Sequence, residues 1–143
     1  MKLFDRLGKL RDRRRPYCTM IVPAAGESRR MGGGNKLLLP LEGEPVLAHT
    51  LRAIDAATLV DEIILATRTE CLAEMAELCQ RCGLQKPVRV VVGGETRTHS
   101  VLAAALEANE KARLIAVHDG ARPLIRPEQI DELIRFGERT YAT

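Results

Sequence analysis

From Tyr17 onward, short apolar runs alternate with longer amphipathic stretches. Cys18–Val22 is a short, largely apolar run that ends at Pro23-Ala24-Ala25-Gly26, which predicts a strand feeding a loop. Val46–Ala57 carries Val46, Leu47, Thr50, Leu51 and Ile54 on one helical face. Ile63–Ala66 reads as a second strand. Thr69–Cys82 reads as a helix with Leu72, Met75, Ala76 and Cys79 on one side and Gly83 as its stop. Val88–Val92 is a third strand, closed by Gly93-Gly94. Thr98–Ala108 is helical, with Val101, Leu102, Ala105 and Leu106 expected to face inward. Leu114–Val117 is a fourth strand. Pro127–Phe136 is a helix that opens on proline, with Ile130, Leu133 and Ile134 as its stripe.

The strands are continuous rather than alternating runs, the pattern of strands covered on both faces. Their regular alternation with helices predicts an α/β fold, an open, mostly parallel, doubly wound sheet of Rossmann-like type with helices on both faces. Ligands of such sheets sit beyond the carboxyl ends of the strands, which directs attention to the loops after the first, third and fourth strands. Aromatic residues are scarce: Phe4, Tyr17, Phe136 and Tyr141, with no tryptophan. Leu, Ile, Val and Ala must therefore build the core. An apolar share of 45% over 143 residues suits one domain with a sizeable core.

Charge divides the chain in two. The first 16 residues hold seven Lys or Arg and two Asp, a net +5, so the overall +3 leaves the remainder at −2. Residues 1–16 read as a basic tail with a short helical stripe of Leu3, Leu7 and Leu10, and residues 17–143 as the domain. Nucleic-acid binding would need a basic surface on the domain, which the slightly acidic remainder does not offer. No run approaches the roughly 18 apolar residues of a membrane helix, and the basic start lacks the apolar run of a secretory signal. The expected setting is cytoplasmic, with the four cysteines as reduced thiols. Cys79 and Cys82 form a C-x-x-C, but no second ligand pair follows it.

Three loops carry the candidate chemistry. The first, from Pro23 to Lys36, begins with small residues at Ala24, Ala25 and Gly26 that let backbone N–H groups approach a ligand closely. Glycines 32–34 and the cations Arg29, Arg30 and Lys36 complete a phosphate-binding composition. It is not a Walker-type loop, because Leu37 follows the lysine and offers no hydroxyl to magnesium. The second, Gly93 to Val101, ends a strand on two glycines and opens a helix with polar side chains, Glu95 and Ser100 among them. In the third, His118-Asp119-Gly120-Ala121-Arg122-Pro123, an apolar strand runs into Asp119. A carboxylate at that edge is well placed to hold Mg2+, which takes one or two carboxylates plus phosphate oxygens. A turn salt bridge between Asp119 and Arg122 is the structural alternative. His99 reads as a surface helix residue, and His118 as pointing into the packing or at backbone.

Taken together, Pro23-Ala24-Ala25-Gly26 with Arg30-Met31 and Lys36, then Gly93-Gly94, Arg97 and Ser100-Val101, then His118-Asp119 with Ala121-Arg122-Pro123 resemble the methylerythritol phosphate cytidylyltransferases, motif by motif and in the same order. The resemblance spans about residues 18 to 136. The first motif is shared with many nucleotidyltransferases, and the third is much more particular. The resemblance implies the nucleotide-diphospho-sugar transferase type of fold. It also implies transfer of CMP from CTP to 2-C-methyl-D-erythritol 4-phosphate with Mg2+, in the non-mevalonate route to isoprenoids. Carried over residue by residue, Arg30 and Lys36 would stabilise charge on the α-phosphate. Pro23, Ala24, Ala25 and Gly26 would cradle CTP, and Gly94, Glu95 and Ser100 would border the cytidine. Asp119, Gly120 and Arg122 would serve ribose, metal and triphosphate, with Asp119 as the metal ligand.

The departures are specific. Asn35 stands where relatives often have proline, Glu95 where they often have a smaller residue, and Gly120 where many have alanine. Family enzymes also continue well past position 143, with a substrate-contacting, homodimer-forming arm, so the chain reads as truncated. Another nucleotidyltransferase of this fold and a non-catalytic nucleotide-binding module are the alternatives.

Overall fold

The computed structural model describes residues 15–26 and 36–141. The tail at 1–14 and the segment 27–35, which carries Arg29, Arg30 and glycines 32–34, lie outside the described residues. The elements are β1 (Tyr17–Ala24), a 3-10 turn (Lys36–Leu38), β2 (Pro40–Leu41), β3 (Glu44–Pro45), α1 (Val46–Ala56), β4 (Glu62–Thr67), a second 3-10 turn (Thr69–Cys71), α2 (Leu72–Arg81), β5 (Val88–Val92), α3 (Arg97–Leu106), β6 (Ala112–Val117) and α4 (Pro127–Tyr141).

Four parallel strands form the main sheet in the order β5-β4-β1-β6. The chain steps outward from β1 through β4 to β5, then returns to the other side of β1 for β6. That reversal splays the connections apart at the carboxyl ends of β1 and β6 and opens a crevice there. Cys18, Met20, Val22, Ile63 and Leu65 pack under α1, α2 and α4 on one face. Ile21, Ile64 and Ala66 pack under Ala104 of α3 on the other. β1 and β4 are thus covered on both faces, as their unbroken apolar runs predict.

Local signals set the element ends. Gly83 follows α2 at φ +63°, a left-handed conformation in which glycine carries no Cβ penalty. Pro127 opens α4, and the Gln129 side chain accepts the Arg126 N–H at 3.0 Å, half of a capping box. The β2–β3 hairpin, absent from the sequence reading, turns through Glu42 (φ 52°) and Gly43 (φ 84°). Two-residue strands carry too little pattern to be read in advance.

Three aspartates staple neighbouring segments by accepting backbone N–H groups. Asp61 accepts Cys18 N–H at 2.8 Å and holds Arg15 in a two-pronged ion pair at 2.7 and 2.9 Å. Asp55 accepts from Gln85 and Lys86. Asp131 of α4, only 8% exposed, accepts Thr58 N–H at 3.0 Å and Leu59 N–H at 2.8 Å. Asp131→Ala strips two backbone donors of their acceptor and should cost about 1–3 kcal/mol. Urea denaturation reads this directly, and an unchanged midpoint would show that α4 docks without the staple.

Several inward assignments need correction. Leu102 and Leu106 of α3 are 57% and 78% exposed, while Ser100 and Ala104 are buried. The helix turns its small residues toward the sheet because they allow close approach, which leaves the leucines outward. On α2 the buried residues are Met75 and Leu78, and Ala76 is exposed. On α4 Leu133 is exposed while Ile130 and Ile134 are buried. Among the described residues β6 is paired on one edge only, and its Ile115 and Val117 are exposed, so this strand is not covered on both faces as expected. No helix among the described residues is long and apolar enough to cross a membrane.

The cysteines are free thiols. Burial, with a smaller contribution from nearby Cys82, pushes the Cys79 thiol up to about 11, so it stays protonated near neutral pH and is a poor nucleophile.

Candidate functional site

The loops after β1, β5 and β6 converge on one cavity of about 530 Å3 at the carboxyl end of the sheet. Its wall contains Pro23, Ala24, Ala25, Gly26 and Lys36 from the first loop, Gly94, Glu95 and Ser100 from the second, and Asp119, Gly120 and Arg122 from the third. Every sequence-predicted site residue except Arg30, which lies outside the described residues, is therefore in one place. The structure adds Leu37, Thr96, Arg97 and Ala121 to the wall.

β1 delivers the first loop at the sheet's centre, where the chain reaches Ala25 and Gly26 with no bulky side chain. Lys36 then opens a 3-10 turn closed by Leu39 N–H to its carbonyl at 3.3 Å. Leu37 beside it is buried and anchors the turn in the core, while Lys36 itself is exposed to the cavity.

The second loop is built on close packing. Gly93 N–H bonds Thr67 carbonyl at 2.7 Å, extending the pairing of β4 and β5 by one residue. A Cβ on Gly93 would stand 2.6 Å from Ser100 Oγ, and one on Gly94 would stand 2.3 Å from His99 Cβ. Both glycines are needed because α3 starts directly against them. Thr96 caps that helix by accepting His99 N–H at 3.1 Å. Ser100 is 2% exposed, and its hydroxyl accepts Gly94 N–H at 3.1 Å and donates to Gly94 carbonyl at 3.3 Å. Ser100 thus holds the glycine turn in shape.

In the third loop, His118 N–H bonds Ile21 carbonyl at 3.0 Å, carrying the β1–β6 ladder one residue past Val117. Asp119 comes next, aimed over the crevice. Its Oδ1 accepts Arg97 Nη2 at 2.7 Å and its Oδ2 accepts Arg122 Nε at 3.4 Å. The Asp119–Arg122 turn pair considered from sequence is present, and Arg97 of the second loop is the nearer partner. The hydrogen bond from Arg97, reinforced by Arg122, holds the Asp119 carboxyl below the usual carboxylate range. The sequence signal for Arg97 was its place as the first basic residue after Gly93-Gly94. His118 turns its ring to Arg122 carbonyl, Nε2 at 3.2 Å, so of the two expectations for it, packing or backbone, it meets backbone.

The arrangement offers small-residue backbone, the cations Lys36, Arg97 and Arg122 and the carboxylates of Glu95 and Asp119 around a cleft, which suits a polyphosphate with an accompanying cation. Comparisons with known proteins point the same way. A family model for 2-C-methyl-D-erythritol 4-phosphate cytidylyltransferase matches residues 18–143. The curated enzyme of that name from Halalkalibacterium halodurans is 34% identical over 125 residues, covering 87% of this chain and 54% of its own length. A crystal structure of 4-diphosphocytidyl-2C-methyl-D-erythritol synthase from Anaerococcus prevotii superimposes with TM-score 0.75 at 25% identity, over 87% of this chain and 52% of that one. Rv0371C of Mycobacterium tuberculosis, in complex with manganese, superimposes with TM-score 0.65 at 26% identity, over 86% and 60%. The chain spans about half the length of the curated relatives it matches. With the three motif loops on one cavity and the family model covering residues 18–143, the chain belongs to the 2-C-methyl-D-erythritol 4-phosphate cytidylyltransferase family.

Proposed function

We propose that the cavity binds CTP as the nucleotide half of an active site that transfers CMP to 2-C-methyl-D-erythritol 4-phosphate and releases pyrophosphate. The observation that carries this reading is the convergence of the three loops on one crevice at the topological switch point. An oxygen of the acceptor phosphate attacks the α-phosphorus in line. The bond from that phosphorus to the leaving pyrophosphate oxygen breaks, and no covalent enzyme intermediate forms. The protein's work is therefore positioning and charge compensation. Lys36 and Arg30 are assigned to the α-phosphate oxygens, and the backbone from Pro23 to Gly26 to the triphosphate. Gly94 and Glu95 border the cytidine while Ser100 fixes their turn. Gly120 and Arg122 serve ribose and phosphates.

Asp119 suits Mg2+ carried in by the nucleotide. Its side chain is 39% exposed at the cavity edge, and Mg2+ takes one or two carboxylates and completes its shell with phosphate oxygens and water. Among the described residues no cluster of three or more His, Cys, Asp or Glu stands ready for a resident ion. The ion, when bound, supplies neutralisation of phosphate charge. The manganese complex of the Mycobacterium tuberculosis neighbour supports a divalent ion on this fold. A homodimer of the full-length form belongs to the same proposal.

Calorimetric titration of the 143-residue chain with CTP, UTP, ATP and GTP, each with and without Mg2+, tests the reading. Weak, CTP-selective, Mg2+-assisted binding is expected. Pyrophosphate release, assayed beside a full-length relative, should be negligible by comparison. Equal affinity for all four nucleotides, or none for CTP, would sink the proposal, and turnover matching the relative would show that these residues suffice for catalysis.

A further inference from the structure

α1 carries one polar side chain in its buried stripe. Thr50 sits among Leu47, Leu51 and Ile54, all 0% exposed, and is itself 0% exposed. A hydroxyl in that position requires an acceptor. The acceptor is 70 residues away: Thr50 Oγ1 donates to the carbonyl of Gly120 at 2.7 Å. Its contact with Val46 carbonyl, one turn back on the helix, is long at 3.4 Å. The short bond is therefore the one that leaves the helix and enters the third loop.

The surroundings show why the loop can come so close. Gly120 is buried, and a Cβ there would stand 3.0 Å from Leu47 Cδ1, 3.3 Å from Leu37 Cδ2 and 3.4 Å from Val22 Cγ1. The backbone at 120 thus lies directly on α1, on Leu37 next to Lys36, and on β1. Gly120 adjoins Asp119, whose carboxylate meets Arg97 and Arg122.

Resting on the nucleotide-site reading, we propose that Thr50 is a positioning residue. Its hydroxyl pins the Gly120 carbonyl to α1 and so holds Asp119 and Arg122 at the cavity edge in the geometry that receives the metal-bound nucleotide. Thr50 is 0% exposed and is not among the residues that line the cavity. Its hold on the site passes through one hydrogen bond, which makes the role separable from bulk packing. Valine matches the shape of threonine without the hydroxyl, and serine keeps the hydroxyl without the methyl.

The experiment compares parent, Thr50→Val and Thr50→Ser by amide hydrogen exchange at residues 118–122 and by affinity for CTP with Mg2+. Thr50→Val should speed exchange in that loop about tenfold and weaken CTP binding about tenfold at a temperature where the chain remains folded. Thr50→Ser should stay near the parent in both. Unchanged exchange in the valine variant overturns the proposal. So does a serine variant as impaired as valine, because packing would then be the cause. Faster exchange with CTP affinity unchanged overturns it as well, since the loop's restraint would not shape the site. Should the valine variant not fold, Thr50→Ala read against Thr50→Ser makes the same comparison. A parent chain that binds no CTP removes the function reading instead, while the exchange comparison still decides whether the hydroxyl restrains the loop.

Discussion

Lys36→Ala is expected to cut cytidylyl transfer in the full-length form about 100- to 1,000-fold, the scale of losing one preorganised donor at a developing charge. In the 143-residue chain the same change is expected to abolish measurable CTP binding. The reasoning starts from how the lysine is held. Leu37, 6% exposed, is fixed in the core, and the 3-10 turn from Lys36 to Leu38 is closed onto Leu39. The lysine therefore emerges from a rigid step at the cavity wall, and its charge costs little reorganisation when the nucleotide arrives. Lys36→Arg should recover only part of the loss, because a planar guanidinium cannot reproduce a compact ammonium. The check is pyrophosphate release for the full-length form and calorimetry for the chain. Activity within a few fold of the parent in Lys36→Ala would remove this residue from the mechanism.

The parts of this site that were legible in advance share a physical reason. Small residues after a strand, a glycine pair before a helix and an aspartate at a strand end each mark where backbone must approach a ligand or where charge must sit at the sheet's edge. Local composition records such needs, and the cavity collects Ala24 to Gly26, Gly94 of the glycine pair and Asp119. Strand existence was equally legible, since β1 and β4 are buried on both faces and carry no alternation to confuse. Side-chain direction on α3 was not. A helix that packs through Ser100 and Ala104 hides its buried face from any search for large apolar residues, so Leu102 and Leu106 drew the assignment to the wrong side. The roles of Arg97, Thr50 and Ser100 were also out of reach. Each depends on a hydrogen bond whose partner is set by tertiary packing or by the exact path of a turn: Arg97 to Asp119, Thr50 to Gly120 and Ser100 to Gly94. A threonine in a helical stripe reads as a tolerated core residue until the loop that it faces is known.

Asp119→Asn is expected to abolish the metal dependence of CTP binding. In the parent, the carboxylate occupies Arg97 at 2.7 Å and Arg122 at 3.4 Å, so two cations at the cavity edge are partly neutralised before any ligand arrives. On the proposed reading, a nucleotide that brings Mg2+ would offer the carboxylate another partner and leave both guanidinium groups available to phosphate oxygens. A nucleotide without metal must instead compete with the carboxylate for the same guanidinium groups. Asparagine keeps the size and removes the charge. Metal-free CTP should therefore bind Asp119→Asn about tenfold more tightly than it binds the parent, a modest share of what a charge pair of this kind couples, while the gain from adding Mg2+ should vanish. The pH dependence carries the same sign. Because its partners hold the Asp119 carboxyl below the usual range, the group stays ionised through neutral and mildly acidic pH. The pairing is fully present above the ordinary carboxylate range and is lost only as pH falls through that lowered value. The Mg2+ enhancement of CTP affinity should accordingly hold steady from neutral to mildly acidic pH in the parent and be missing throughout in Asp119→Asn. Titrations with CTP in chelator and in Mg2+, at two pH values, provide the check. A variant that keeps the parent's Mg2+ enhancement would show that the ion is held elsewhere, and one that binds metal-free CTP no better than the parent would show that Asp119 does not restrain the two arginines.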